Sequence, residues 1–280
     1  MKVLRVDFAS ADAPKQFVTS LRETGFAVIT NHSLSETFIK TVYQQWEVFF
    51  NSPEKFDYVF DPKKDNQDGY FPHGETAKGH TVPDLKEFFH IYPGSRMPTH
   101  VEALTYQLRL ALFDMAKTLL SWVQAELPAD IVKQLDRPLV DMVSDERTLL
   151  RVLYYPALDG KEEQGAIRAA AHGDINLLTL IPAASADGLQ VQDIEGQWHD
   201  VPCDFGNISV NVGDMLEMAT QYYLKSTIHR VVNPHESGRR LPRMSMPLFM
   251  HPKAEVVLKP GFTAFDYLEE RLKELGLRQY

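Results

Sequence analysis

Arg168-Ala-Ala-Ala-His-Gly-Asp-Ile-Asn-Leu-Leu-Thr-Leu-Ile181 is the stretch whose reading decides the fold. Its second half, Ile175 to Ile181, is a short apolar run too brief for a core helix, and it reads as a buried strand. Similar runs surround it. Thr148 to Tyr155, Leu189 to Ile194, Trp198 to Val201, Ile208 to Val212, Thr227 to Val232, Arg243 to Met250 and Glu255 to Leu258 are all β-type segments separated by Gly, Pro, Asp and Asn. Short strands at regular spacing indicate a sandwich or jelly roll rather than alternating βαβ units, and Glu195-Gly196 marks a hairpin.

Upstream of residue 147 the texture is different. Residues 1–10 read as a strand, Pro14 to Thr24 as a helix ended by Gly25, and Phe26 to Ile29 as a second strand. Ser33-Leu-Ser-Glu36 has the pattern of a capping box, and Phe38, Val42, Trp46 and Phe50 follow along one helical face. Asp61 to Pro83 is polar and rich in turn residues, a long loop whose Tyr70, His73, Lys78 and His80 are candidates for a substrate entrance. Leu85 to Tyr92 has a β-rich second half. From Val101 to Val123 apolar residues recur at intervals of three and four, which predicts a long helix backing a sheet, ended by Pro128. Phe265 to Leu275 closes the chain as an amphipathic helix. The expected organisation is residues 1–100 as an N-terminal lobe and residues 101–280 as the core with its backing helix, forming one compact unit.

Composition excludes several classes. A hydrophobic fraction of 44% and a charged fraction of 24% suit a folded globular chain. A net charge of -9 repels phosphate backbones, and Arg239-Arg240 with Arg243 is too short a cluster to form a nucleic-acid stripe. Cys203 is the only cysteine, which rules out an intrachain disulfide and a thiolate zinc site. Charge interrupts the first apolar residues too early for a signal peptide, and no apolar stretch is long enough for a membrane span. The reading is a soluble cytoplasmic protein acting on a small molecule, with no nucleic-acid or membrane partner and an undefined oligomeric state.

Within the opening stretch, His172 and Asp174 are two residues apart, and side chains at i and i+2 of a strand share a face. His229 lies in another β-type run and is the third candidate ligand. Two imidazoles and one carboxylate on one side of an ion leave coordination positions open, as non-haem Fe(II) oxygenases require. His172 and His229 lie in or beside β-type runs, whereas His32, His73, His80, His90, His100, His199, His235 and His251 fall mostly near turns or exposed stretches. Arg243 and Ser245 form a second i, i+2 pair within a run that is otherwise almost wholly apolar. A guanidinium facing such an interior needs an anion, and its planar fork suits a carboxylate. Fe(II), one aspartate, a dicarboxylate and Arg243 close at zero formal charge, so the set can be buried.

These residues resemble the isopenicillin N synthase-like iron/ascorbate-dependent oxidoreductases, a branch of the 2-oxoglutarate and Fe(II)-dependent oxygenases. Gly25-Phe-Ala-Val-Ile-Thr-Asn-His32, Leu189-Gln-Val191, Gly196-Gln-Trp198, Val201-Pro202, Asn211-Val-Gly-Asp214 and His229-Arg-Val-Val-Asn-Pro234 follow the order of segments in that family. The resemblance implies a mainly β, α+β fold: a distorted double-stranded β-helix (jelly roll) core with an N-terminal helical lobe, a long backing helix and a C-terminal helix. It also implies that His172, Asp174 and His229 ligate Fe(II), and that Arg243, Ser245 and Tyr155 hold the distal carboxylate of 2-oxoglutarate. Leu153 stands where plant members commonly have asparagine. The implied reaction couples oxidative decarboxylation of 2-oxoglutarate by O2 to hydroxylation or desaturation of a small molecule, with ascorbate as an optional reductant.

Other readings stay open at this stage. An oxidase of the same family would use ascorbate or no 2-oxo acid, a zinc hydrolase could use the same three ligands, and a cupin-like binding module would need none of them. Lys86, Phe88, His90 and Arg168 are candidate substrate contacts, although Lys86 and Arg168 read first as solvent-exposed charge. The substrate itself is not encoded in any motif.

Overall fold

The computed structural model describes residues 1–274 apart from 64–66, 77–80, 203, 236–237 and 239, so Lys78, His80, Cys203, Arg239 and Leu275 lie outside the described residues. The strands are β1 Arg5–Asp7, β2 Phe26–Thr30, β3 Gly69–Phe71, β4 Glu87–Ile91, β5 Leu149–Tyr155, β6 Ala169–His172, β7 Leu178–Pro182, β8 Leu189–Gln192, β9 Trp198–Asp200, β10 Ile208–Val212, β11 His229–Val231, β12 Arg243–Ser245, β13 Leu248–Met250, β14 Val257–Lys259 and β15 Phe262–Thr263. The helices are α1 Ala13–Thr24, α2 Glu36–Phe50, α3 Thr99–Glu126, α4 Ala129–Val132, α5 Leu139–Met142, α6 Asp214–Ala219 and α7 Ala264–Glu274.

Two sheets make the core, as the jelly-roll expectation requires. The larger runs β1-β2-β10-β7-β13-β5-β4-β3, with β12 also paired to β5, and the smaller runs β6-β11-β8-β9. Alternation along the strands of the large sheet sends side chains in two directions. Phe26, Val28, Phe88, Leu153, Tyr155 and Ile181 meet Ala169, Leu189, Val191 and Val231 of the small sheet in an inner cluster. Ala27, Ile29, Phe89, Val152 and Leu180 belong instead to the outer core, with Phe17, Trp46, Leu108, Leu112 and Leu119 of the helices. Both faces of the large sheet are covered, so its strands are mostly apolar, and the polar residues within them, such as Thr179, Ser209 and Asn211, are buried.

The long helix falls where its periodicity placed it, and α3 packs on α1, α2 and the sheet. Trp46 is fully buried, donates from Nε1 to Thr105 Oγ1 of α3 at 2.9 Å, and stands among Phe49, Phe50 and Phe89. Gly25 ends α1 at φ 72. A Cβ there would lie 2.1 Å from Thr227 Oγ1 and 2.6 Å from Lys225 O, so glycine is needed both for the turn and for the close approach of the segment leading to His229.

Several local expectations are corrected. The cap of α2 is Ser35, whose hydroxyl accepts from Phe38 N at 3.2 Å, and Ser33 makes no cap. Ser35→Ala should therefore lower stability by about 1 kcal/mol, seen as a lower urea midpoint at constant slope, while Ser33→Ala should leave the midpoint unchanged. The Asp61 to Pro83 segment is not all loop, since it contains β3, which pairs with β4. The Arg243 to Met250 run breaks into β12 and β13 at Met246-Pro247, where proline has no N–H to donate to a ladder. The strand after Asp174 begins only at Leu178, and the final β-run begins at Val257. Helix α6 was not visible in the sequence.

Candidate metal centre and anion pocket

His172 and His229 face each other as register partners of β6 and β11, with ring centroids 4.5 Å apart. Asp174 is not on the strand: β6 ends at His172, so the i, i+2 parity argument does not hold. The carboxylate is positioned by the start of α6 instead. Asp214 N donates to Asp174 O at 2.7 Å, Met215 N to Asn176 O at 3.1 Å, and Gly213 N to Leu177 O at 2.9 Å. Gly213 permits this contact, since a Cβ there would stand 2.2 Å from Asn176 O.

The donor set has the chemistry of a cation site. One ligand atom from each of His172, Asp174 and His229 lies within 4.8 Å of the others. His172 Nδ1 donates to Ala170 O at 2.7 Å and His229 Nδ1 to Thr227 O at 3.1 Å, because a carbonyl can only accept. Those bonds put each proton on Nδ1 and leave each Nε2 lone pair facing Asp174 Oδ1, at 4.0 and 3.8 Å. The other carboxylate oxygen, Oδ2, accepts from Thr179 Oγ1 at 2.6 Å and Asn211 Nδ2 at 2.7 Å. Burial alone would raise the Asp174 carboxyl, but the two histidines and these hydrogen bonds outweigh it and hold it below its ordinary range. Burial and the neighbouring His229 push His172 down to about 4, so it is neutral and able to ligate at physiological pH. Three converging donors with their outer sides already satisfied fit a divalent ion such as Fe(II).

Arg243, Ser245 and Tyr155 also come together. Arg243 is the register partner of Tyr155 and Ser245 that of Leu153 across β12 and β5, and all four are buried. The Arg243 guanidinium lies 5.2 Å from the Tyr155 ring centre, donates from Nε to Ala186 O at 2.9 Å, and has no partner for Nη1 among the described residues. A buried cation with an unmatched donor is suited to a carboxylate.

Lys86 and Arg168 are not the solvent-exposed charges their residue types suggested. Lys86 is buried against Asp84 at 2.8 Å and Glu75 at 3.4 Å, and its charge acts on both His172 and Tyr155. Asp84 Oδ1 in turn accepts from Ala170 N at 2.9 Å, next to the carbonyl that orients His172. Arg168 is 1% exposed. His90 is likewise buried in β4 rather than near a turn, with Nε2 accepting from Arg151 Nε at 2.8 Å, while the Arg151 fork grips Glu75 at 3.0 and 3.1 Å. Thr179 and Asn211 were missed as site residues. Their one sequence signal is a polar side chain inside an apolar strand, Leu178–Pro182 or Ile208–Val212.

Two partly buried histidines, His172 and His251, predict a pH dependence. Burial first, then nearby Arg147, lowers His251 to about 4, and His172 is lowered similarly from the ordinary 6.5. Between those values the unfolded chain takes up protons that the folded chain refuses, so the metal-free protein should lose stability as pH falls from 6.5 towards about 4. His251→Asn should flatten that part of a melting-temperature against pH curve; a parallel curve would contradict the assignment.

Comparison with known proteins agrees with this geometry. Residues 147–252 match the 2OG-Fe(II) oxygenase superfamily, and residues 5–107 match the region described as non-haem dioxygenase in morphine synthesis N-terminal. A solved structure assigned as an oxygenase, from Shewanella oneidensis, is 44% identical, covers 99% of this chain and 100% of its own, and superposes with a TM-score of 0.90. Another, assigned to the 2OG-Fe(II) oxygenase family and from Caulobacter crescentus, is 31% identical over 98% of this chain and 99% of its own, with a TM-score of 0.76. The proline hydroxylase buaE of Petromyces alliaceus is 28% identical over 92% of this chain and 90% of its own. No helix among the described residues is long and apolar enough to cross a membrane. A two-sheet barrel, a His-Asp-His cluster inside it and full-length likeness to a member of one family lead to a single assignment: the chain belongs to the 2-oxoglutarate and Fe(II)-dependent oxygenase superfamily.

Proposed function

We propose that His172, Asp174 and His229 hold the Fe(II) of this dioxygenase, and that Arg243, Ser245 and Tyr155 hold the distal carboxylate of 2-oxoglutarate. The observation that carries the reading is the convergence of His172 Nε2, His229 Nε2 and Asp174 Oδ1, with the other side of each group already hydrogen-bonded. Iron, 2-oxoglutarate and O2 together supply the oxidising power, with succinate and CO2 as products and a C–H bond of a small molecule as the target. The chain's part is positional. Thr179 and Asn211 fix the carboxylate, Ala170 O and Thr227 O fix the two imidazoles, and the inner apolar cluster excludes water.

The small-molecule substrate enters, on this reading, over the β3–β4–β5 edge. There Phe71 stacks on Phe88 at 4.7 Å, and the Arg151 guanidinium lies 4.7 Å from the Phe88 ring centre. With the Arg151 fork already held by Glu75, this aromatic wall suits a small molecule with an apolar face, in keeping with the proline hydroxylase among the relatives. The lobe of residues 1–100 and the core of residues 101–280 act as one unit in the cytoplasm. The Fe(II)-loaded protein should convert 2-oxoglutarate to succinate even without its substrate, at a slow uncoupled rate. Succinate formation no faster than in an Asp174→Ala control would refute the proposal.

A further inference from the structure

The barrel interior holds one guanidinium that the metal site and Arg243 do not account for. Arg168 sits on the bend just before β6 and is 1% exposed; Arg243 is 2% exposed. Both point at the same ring, their guanidinium carbons lying 5.9 and 5.2 Å from the Tyr155 centre. Arg168 Nη2 donates to Leu241 O at 3.0 Å and Arg243 Nε to Ala186 O at 2.9 Å. Arg168 Nε and Arg243 Nη1 are buried without a partner among the described residues.

The other buried cations differ. Lys86 has Asp84 at 2.8 Å and Arg109 has Asp145 at 2.7 Å, whereas no ion pair among the described residues includes Arg168 or Arg243. Two unpaired guanidiniums facing one ring repel each other in an apolar enclosure. Burial, and then Arg243, pull Arg168 down to about 10. Such a pair is costly unless an anion bridges it, and a carboxylate has two oxygens to offer.

We propose that Arg168 is a specificity-determining residue of the co-substrate pocket, gripping with Arg243 one carboxylate beside Tyr155, so that the pocket selects 2-oxo acids carrying a second, distal carboxylate. The inference rests on the 2-oxoglutarate reading above. The same chemistry could be offered by a carboxylate of the oxidised substrate, and the test separates the two sources.

Binding of 2-oxoglutarate and of 2-oxopentanoate, which has the same chain without the distal carboxylate, is measured by calorimetry on the Mn(II)-loaded full chain. Wild type should prefer 2-oxoglutarate. Arg168→Gln should weaken 2-oxoglutarate about 10- to 100-fold, as expected for a lost charge-assisted hydrogen bond, and leave 2-oxopentanoate within about twofold. Arg168→Lys keeps the charge without the fork, should lose about 3- to 10-fold, and carries the comparison if the glutamine variant fails to fold. Unchanged 2-oxoglutarate binding in either folded variant would overturn the proposal and assign the guanidinium to another anion, such as the oxidised substrate. Equal losses for both acids would overturn it in favour of a purely structural role. A wild type that does not discriminate between the acids would defeat the 2-oxoglutarate reading itself, and this inference with it.

Discussion

Asp174→Ala is expected to abolish succinate formation, with a loss of at least about a thousandfold, and to strip the metal from the purified protein. The carboxylate is the member of the cluster that both imidazoles face, at 4.0 and 3.8 Å. It is also the only carboxylate of the three, and burial with His229 nearby holds His172 below its ordinary range. Removing it leaves two imidazole donors and no anionic ligand to compensate a divalent ion. Residues that only orient ligands typically cost about 10- to 100-fold in metal affinity, so a ligand should cost more. That comparison supplies an internal scale: Asn211→Leu, which removes one hydrogen bond to Oδ2, should fall in the 10- to 100-fold range. Metal content by elemental analysis and succinate by chromatography check both.

The second large effect is at Arg243. Arg243→Met keeps most of the side chain's length and its packing beside Tyr155 while removing the buried positive charge. Truncating one partner of a buried charge pair costs about 2–5 kcal/mol, or roughly 30- to 5000-fold in affinity for 2-oxoglutarate. Metal affinity should stay within about threefold, because Arg243 makes no contact with His172, Asp174 or His229 among its hydrogen bonds. A rise in KM for 2-oxoglutarate with metal content intact would bear the assignment out; loss of both together would place Arg243 in a different role.

How far the sequence reached depended on which physical signal each residue carried. Ile208–Val212 and Phe26–Thr30 are legible because both are short runs dominated by apolar residues, as strands buried on both faces are. The long helix was legible because its stripe persists over many turns. Strand parity accounts for His172 but not for Asp174, which lies beyond the end of β6. Nothing in Gly173-Asp174-Ile175-Asn176 announces that backbone bonds from the start of α6 hold it in place.

Arg168 and Lys86 illustrate the opposite failure. Arginine and lysine are read as surface residues by default, and only tertiary structure shows Lys86 between two carboxylates and Arg168 against Tyr155. Periodicity could not help with Arg168. The pairing of β6 with β11 shifts register there, a step of two from His229 to Val231 answering a step of three from Ala169 to His172, so the period of two is interrupted. Thr179 and Asn211 carry a signal, a polar side chain within a buried strand, which gains meaning once an acceptor such as Asp174 Oδ2 is seen opposite.

Iron bound by this His-Asp-His cluster beside a 2-oxo acid is tested most directly by its optical spectrum. Fe(II) is added anaerobically to the metal-free protein, followed by 2-oxoglutarate, and the visible spectrum is recorded at each step. A charge-transfer band is expected that appears only after 2-oxoglutarate is added, saturates at one equivalent, and is absent from Asp174→Ala. Tight iron binding with no such band at any 2-oxoglutarate concentration would contradict this reading.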